Sequence, residues 1–148
     1  MSEHSDEAVD PAVILVGPQM AENVGAAARA MLNCGLTELR IVAPRFPWPA
    51  ERASAMAAGA DRVLDGARIF ATTREAVADL QVVVACSART RDMNEMRQTP
   101  RAAVAEMRAR VAEGARCAWM FGPERAGLSN DDLVHADRVV TVPLNPGF

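Results

Sequence analysis

The sequence contains no lysine, two histidines and three cysteines. His4 and His135 have no partner at the spacing of a catalytic or metal-binding set, which excludes the usual Ser–His–acid and Cys–His chemistries. The cysteines Cys34, Cys86 and Cys117 are odd in number and far apart, so the sequence indicates neither a disulfide framework nor a zinc site. We therefore expect a protein of the reducing cytoplasm that binds no metal.

Long apolar runs are also lacking, because no stretch approaches the roughly 18 apolar residues that a membrane-spanning helix needs. The segment Met1–Asp10 is polar and acidic, without the basic and apolar regions of a signal peptide. At 148 residues and 50% hydrophobic content, the chain has the size of one ordinary domain. We predict a disordered tail over residues 1–11 and a single domain over residues 12–148, with no membrane partner.

The net charge of -3 gives no general attraction to nucleic acid, so an RNA partner would have to meet a local basic surface. All 16 basic residues are arginine. This composition fits bidentate recognition of phosphate, and it also fits a genome that favours alanine and arginine codons. The sequence leaves both explanations open.

Short apolar segments alternate with segments of helical periodicity along the whole domain. The segment Ala12–Gly17, for example, is almost wholly apolar, which is typical of a strand buried on both faces. Strands are predicted over 12–17, 39–43, 67–71, 82–86, 117–121 and 138–142, and helices over 23–35, 54–60, 74–80, 100–113 and from 129 onward. This alternation predicts an α/β fold with a mostly parallel sheet and helices on both faces.

Two polar, glycine-containing segments, Asn23–Arg29 and Phe121–Leu128, each lie between a predicted strand and a predicted helix. Open α/β sheets bind ligands at the carboxyl edge, where such segments lie. Neither segment has the Gly-x-Gly-x-x-Gly or Gly-Lys-Ser/Thr pattern of the common nucleotide-binding loops. Arg29 is about 140° around the helix from the apolar stripe at Val24, so it should face away from the core. Asn23 fits either a helix N-cap or a ligand contact.

Three segments resemble the ordered motifs of the SpoU/TrmH group of the SPOUT superfamily: Asn23-x-Gly-x-x-x-Arg29-Ala-Met, Phe121-Gly-Pro-Glu-Arg-x-Gly-Leu-Ser-Asn130 and Val142-Pro-Leu-Asn-Pro146. Members of this group are S-adenosylmethionine-dependent RNA 2′-O-ribose methyltransferases. The first two motifs are most similar to the TrmJ-like branch, which methylates a ribose in the tRNA anticodon loop. The resemblance covers nearly the whole chain, and it implies a SPOUT (α/β-knot) fold with a C-terminal trefoil knot, a tRNA substrate and a homodimer.

The resemblance also implies roles for particular residues. The catalytic residues facing the ribose would be Arg29, Asn23, Glu124 and Asn145, with Arg29 completing the site across the dimer. The methyl donor would lie against the backbone of Cys86, Ser87, Ala88, Gly122, Val142 and Leu144. Cys86 would then be a backbone contact and not a nucleophile.

The third motif stops at Phe148, before the Ser-Leu-Asn continuation that the family shows. We therefore expect the knot and the cofactor pocket to be incomplete in this chain. This expectation favours the main alternative, a non-catalytic RNA- or nucleotide-binding module that kept the sheet. Methylation of ribosomal RNA and an unrelated α/β small-molecule enzyme are the further alternatives.

A basic stretch just beyond the fourth predicted strand is the best local candidate for an RNA contact. The segment Arg89–Arg101 carries four arginines against two acidic residues. Arg89 and Arg91 would bind RNA phosphates, although a solvated loop explains the same pattern.

Arg29 is the third residue expected to contact RNA. A guanidinium with a pKa above about 12 does not readily give up a proton, so a general-base role is unfavourable. We expect Arg29 to hold the adjacent phosphate and to stabilise developing charge on the ribose oxygen.

Overall fold

The computed structural model describes residues 8–87, 97–124 and 126–141, which form a seven-stranded sheet. The strands are β1 (Ala12–Val16), β2 (Leu39–Val42), β3 (Arg68–Phe70), β4 (Val82–Ser87), β5 (Arg97–Gln98), β6 (Cys117–Phe121) and β7 (Arg138–Thr141). Their order across the sheet is β3-β2-β1-β6-β4-β7-β5, and each neighbouring pair is parallel. The predicted parallel α/β fold is therefore confirmed.

Helices in the described ranges connect and cover these strands. They are α1 (Ala21–Asn33), α2 (Glu51–Ala57), α3 (Asp61–Asp65), α4 (Thr73–Val77), α5 (Pro100–Ala112) and α6 (Asn130–Leu133). The sequence did not predict β5, which at two residues is too short to show a period, or the five-residue helix α3. The start predicted for α2 was three residues late. Within the described ranges, no helix has the length and apolar character needed to cross a membrane.

The side chains of the central strands alternate between two apolar layers, as expected for a sheet covered on both faces. Ala12, Ile14 and Val16 of β1 pack on one face in a core shared with α4 and α6. Val13 of β1 packs on the other face with α1, α2 and α3. A separate core on that second face joins β4 and β6 to α5. Because α1 and α5 belong to separate cores, part of the sheet between them remains open.

Helix α1 packs very closely on α2 at Gly25. A Cβ atom at this position would lie 2.1 Å from the carbonyl oxygen of Ala53, so any side chain would force α2 away. Val24 and Ala28 are fully buried in the same layer. The glycine of the first motif is therefore required by helix packing, independently of any ligand.

A buried cation ties β2 to α4. The guanidinium of Arg40 is 1% exposed, and its five N–H groups all donate hydrogen bonds. The acceptors are the carboxylate of Glu38 (2.6 and 3.0 Å), the carboxylate of Asp79 (2.6 and 3.1 Å) and the carbonyl oxygen of Ala76 (2.7 Å). Since no donor is left unpaired, the guanidinium can stay charged inside the fold.

The carboxyl ends of the central strands lie side by side. Phe121 at the end of β6 is opposite Leu15 of β1 and Cys86 of β4. Ser87 at the end of β4 is opposite Thr141 of β7. The segments that follow β1 and β6 therefore start from adjacent points on one edge of the sheet, as the sequence predicted.

Candidate active site

The N-terminus of α1 is capped by Glu124, a residue from the loop after β6. The N-cap residue Met20 has no side chain that could cap the helix, and no side-chain capping bond is present there. Instead, the carboxylate of Glu124 accepts hydrogen bonds from the backbone N–H of Gln19 (3.1 and 3.2 Å) and of Met20 (3.1 Å). A negative charge is favourable at this end of a helix. The first and second motif segments are therefore in direct contact.

Asn23 takes part in this contact but is not the N-cap. Helix α1 begins at Ala21, so Asn23 lies in its first turn and the N-cap interpretation is wrong. A carboxylate from a distant loop replaces the local cap. The side-chain Nδ2 of Asn23 donates to Glu124 Oε2 at 2.9 Å. This bond assigns the amide orientation and leaves Oδ1 of Asn23 as an acceptor.

The environment of Glu124 keeps its carboxylate ionised. Partial burial acts to raise the pKa of Glu124, but the bonds from the Asn23 side chain and from the backbone N–H of Gln19 and Met20 outweigh it. The pKa of Glu124 is consequently lowered. A carboxylate with a lowered pKa and three N–H donors is a weak base near neutral pH. The geometry favours a positioning role for Glu124 over proton transfer.

The loop that carries Glu124 depends on two glycines. A Cβ atom on Gly122 would lie 2.3 Å from the backbone nitrogen of Leu128, because the loop folds back on itself at this point. Gly127 has a φ of 70°, in the left-handed region that other residues rarely adopt. Both glycines of the second motif are therefore needed to form the loop.

The end of this loop is fixed by a capping box. The hydroxyl oxygen of Ser129 accepts from the backbone N–H of Asp132 at 3.2 Å, and the Asp132 carboxylate accepts in return from the Ser129 backbone N–H. The same carboxylate accepts from the hydroxyl of Thr73 in α4 at 2.8 Å. The capping box predicted from the sequence is confirmed, and it anchors the second motif to the other helical layer.

Arg29 lies on the exposed side of α1, as predicted. It is further along the helix than Asn23 by about 9 Å, at 1.5 Å per residue. Across residues 8–87, 97–124 and 126–141, the structure shows no hydrogen bond or ion pair of the Arg29 guanidinium. The structure thus brings Asn23 to Glu124, while Arg29 lies on the same helix as Asn23 and presents its charge to solvent.

Three of the predicted cofactor contacts lie at neighbouring strand ends. Cys86 is opposite Phe121 in the β4–β6 pair, and Gly122 follows Phe121 directly. Burial raises the pKa of the Cys86 thiol to about 11, so the thiol is protonated near neutral pH and is a poor nucleophile. Ser87 ends β4 beside them. The other predicted site residues, Ala88, Arg89, Arg91, Val142, Leu144 and Asn145, lie outside the described residues. The incomplete knot stays a prediction, because residues 142–148, where the third motif stops, also lie outside them.

An apolar cavity of about 530 Å³ lies next to this contact, over the part of the sheet that α1 and α5 leave open. Leu15, Ala30, Val104 and Trp119 contribute to its walls. Phe121 at its floor is 39% exposed although its side chain is wholly apolar. An exposed apolar surface of this extent is typical of a face that another element or molecule covers.

The fold and the site define an open parallel α/β domain whose ligand edge is built by the loops after β1 and β6. The SpoU rRNA Methylase family profile matches residues 10–148. The chain belongs to this family, and the resemblance noted in the sequence is confirmed.

The most similar proteins include several TrmJ enzymes. The tRNA (cytidine/uridine-2′-O-)-methyltransferase TrmJ of Yersinia enterocolitica is 40% identical over 136 residues, which are 92% of this chain and 52% of that protein. The tRNA (cytidine/uridine/adenosine-2′-O-)-methyltransferase TrmJ of Pseudomonas aeruginosa is 37% identical, with the same coverage. The crystal structure of TrmJ from Z. mobilis ZM4 is 50% identical, with a TM-score of 0.86 over 94% of this chain and 61% of that one. The chain spans about half the length of the curated relatives it matches.

Replacing Glu124 with Gln should destabilise the protein near neutral pH by about 0.5–2 kcal/mol, the usual cost of losing a helix cap. A glutamine offers a single acceptor oxygen, so it cannot accept from Gln19, Met20 and Asn23 as the carboxylate does. Because the folded-state pKa of Glu124 is lowered, its stabilisation is present above the unfolded pKa and is lost as the pH falls through the folded pKa. Urea unfolding of both proteins at about pH 7 and about pH 3 measures this difference.

Asp10→Asn is the matched control, because Asp10 is exposed, lies outside the described helices and makes no side-chain hydrogen bond to any residue that the structure describes. It should change the free energy of unfolding by less than about 0.5 kcal/mol. Equal losses for Glu124→Gln and Asp10→Asn, or a loss at Glu124 that persists unchanged at low pH, would contradict the capping role.

Proposed function

We propose that the full-length protein transfers a methyl group from S-adenosylmethionine to the 2′-oxygen of a ribose in the tRNA anticodon loop. The observation that carries this proposal is the direct contact between Asn23 of the first motif and Glu124 of the second. The names of the TrmJ relatives, which include 2′-O-methyltransferase activity on tRNA, support the same substrate. A cytoplasmic location follows from that substrate.

The residues at the ends of β4 and β6 fit a sulfonium donor. The backbone at Cys86, Ser87 and Gly122 lies at adjacent strand ends, where it can present N–H and C=O groups to an adenosine. The raised pKa of Cys86 keeps its thiol protonated, so no thiolate competes with the ribose for the methyl group. When bound, S-adenosylmethionine supplies an electrophilic methyl group on a positively charged sulfur. Ala88, Val142 and Leu144 complete the proposed cofactor contacts.

The polar residues of the site would position the ribose and stabilise its developing negative charge. Oδ1 of Asn23 can accept a hydrogen bond from a ribose hydroxyl, since Nδ2 is held by Glu124. Arg29 would bind the neighbouring phosphate through two N–H groups and stabilise the negative charge that develops on the oxygen as the hydroxyl proton passes to solvent water. Glu124 acts indirectly, by fixing Asn23 and the start of α1. Asn145 is the further proposed ribose contact, and alignment of the reacting atoms supplies much of the rate.

Methyl transfer by the full-length protein, with labelled S-adenosylmethionine and an unmodified tRNA transcript, tests this proposal. Arg29→Ala should lower kcat/KM by about 10²–10³-fold, the usual cost of removing one group that stabilises the transition state. Arg29→Lys should still lower it by at least about tenfold, because an ammonium cannot replace a bidentate guanidinium. Methylation by Arg29→Lys at the wild-type rate would contradict the role given to Arg29.

Arg108→Lys is the control for this experiment. Arg108 is exposed on α5, and it does not line the apolar cavity beside Glu124. It should leave kcat/KM unchanged. If the wild-type protein binds tRNA but transfers no label, the enzyme proposal is wrong and the non-catalytic RNA-binding alternative takes its place.

We propose in addition that the protein is a homodimer that buries the apolar cavity beside α1. Ala30 and Val104 line this cavity and are exposed, and Val104 is 41% exposed. Covering such a surface is favourable by roughly 25 cal/mol per Å² of apolar area removed from water. Because Arg29 is also on the exposed side of α1, a second subunit at this face would lie close to the proposed site.

Sedimentation equilibrium of the full-length protein tests the dimer. Ala30→Glu should weaken self-association by at least about tenfold, because it places a charge on the apolar surface. Ala26→Glu is the control, since Ala26 is exposed on the same helix but does not line the cavity. A monomeric wild type, or equal self-association of the two variants, would contradict the proposed interface.

A further inference from the structure

A second cavity, of about 540 Å³, lies at the carboxyl ends of β1, β2 and β3. We call it the arginine groove. Its walls include Ala43 and Arg45 after β2, Thr72 and Arg74 before and in α4, and Pro123 and Asp131 of the segment after β6. Among the described residues, none of the site residues predicted from the sequence lines it. Its place at the carboxyl edge is where parallel sheets bind ligands.

The arginine groove and the Glu124 contact lie on opposite sides of one loop. Pro123 and Gly127 line the groove, whereas Gly122 and Glu124 line the apolar cavity. Pro123 lies beside the turn after β1, since a Cβ on Gly17 would be in van der Waals contact with its ring at 3.4 Å. A ligand that extends past this loop would therefore reach the groove from the proposed active site.

Two arginines of the groove have no partner among the described residues. Arg45 and Arg74 are both exposed, and the structure shows no hydrogen bond or ion pair of either guanidinium within the described ranges. By contrast, Arg40, Arg52 and Arg116 are each paired with a carboxylate. Two guanidiniums on the walls of one cavity form a surface that suits phosphate.

The two aspartates on the groove walls differ: Asp132 already accepts hydrogen bonds from neighbouring side chains, whereas Asp131 is exposed. The carboxylate of Asp132 is already engaged by the hydroxyls of Thr73 and Ser129, at 2.8 Å each. Asp131 is exposed on the same wall. An exposed carboxylate can accept a hydrogen bond from a sugar hydroxyl. The groove therefore combines cations for phosphate with an acceptor for ribose.

A strained turn places Arg45 on the groove wall. Ala43, directly after β2, has a φ of 46°, in the left-handed region that costs a non-glycine residue roughly 1–2 kcal/mol. The backbone N–H of Arg45 then donates to the carbonyl oxygen of Pro18 at 3.0 Å, which ties this turn to the one that precedes α1. Strained backbone conformations of this kind occur mainly at functional sites, such as ligand-binding sites.

We infer that the arginine groove binds the sugar–phosphate backbone of the RNA substrate next to the reacting nucleotide, with Arg45 and Arg74 on phosphates and Asp131 on a ribose hydroxyl. This inference rests on the proposed function. It adds an RNA contact at the β1–β3 side of the sheet, apart from the predicted one at Arg89 and Arg91 beyond β4.

Binding of an unmodified tRNA transcript to the full-length protein, measured over a range of salt concentrations, tests the inference. The double variant Arg45→Gln/Arg74→Gln should raise Kd about tenfold and reduce the slope of log Kd against log salt by roughly 1.4, at about 0.7 per lost phosphate contact. The Kd for S-adenosylmethionine should not change. Methyl transfer should lose activity through KM, with kcat near the wild-type value.

Arg62→Gln/Arg108→Gln removes the same charge from exposed arginines that line neither cavity. This control should keep the wild-type salt slope. If the two double variants have equal Kd values and salt slopes while the wild type binds and methylates tRNA, the RNA-binding role of the arginine groove is wrong and the proposed function still holds. A wild type that neither binds nor methylates tRNA would overturn the proposed function and the groove with it.

The pair Arg45→Lys/Arg74→Lys separates charge from folding. It should recover most of the tRNA affinity, because attraction to phosphate depends first on positive charge. A lysine pair that binds as weakly as the glutamine pair, with both proteins melting at the wild-type temperature, would also overturn the inference.

Discussion

The hydrogen bonds from the start of α1 to the carboxylate of Glu124 hold the candidate site together. Helix α1 lacks a cap of its own, since Met20 occupies the N-cap position. The carboxylate that accepts from the backbone N–H of Met20 comes from a loop 104 residues away. This one carboxylate gives α1 its N-terminal partner, orients Asn23 and fixes the β6–α6 loop against the end of β1.

The surrounding structure makes that loop rigid enough for the contact. Gly122 lets the loop fold back on Leu128, and the capping box at Ser129 ends it in a defined helix start. Gly25 lets α1 lie against α2, which sets where the helix presents its N-terminus. The same loop separates an apolar cavity from a groove lined by two exposed arginines. Protein association and RNA backbone binding can therefore take place on two sides of one segment.

The features predicted correctly from the sequence depend on residues that are close together in the chain. They are the alternation of strands and helices, the Ser129 capping box and the exposed position of Arg29. The Glu124 cap could not be predicted, because it pairs a side chain with backbone N–H groups that carry no sequence signal. Arg40 was missed for a similar reason: its partner Asp79 is close only after β2 and α4 have packed. Asn23 was open to two interpretations: the start of α1 at Ala21 excludes the N-cap, and the ligand contact stays a prediction.

An NMR titration of Glu124 tests the central claim most directly, by following its side-chain carboxyl carbon together with the amide protons of Gln19 and Met20. We expect all three signals to titrate with one midpoint below the usual pKa of a glutamate, because the Asn23 side chain and the backbone N–H groups of Gln19 and Met20 lower the pKa of Glu124. The amide protons should move because they donate to the carboxylate that is being protonated. A carboxyl carbon that titrates at the usual pKa, with amide protons that do not respond, would contradict the account.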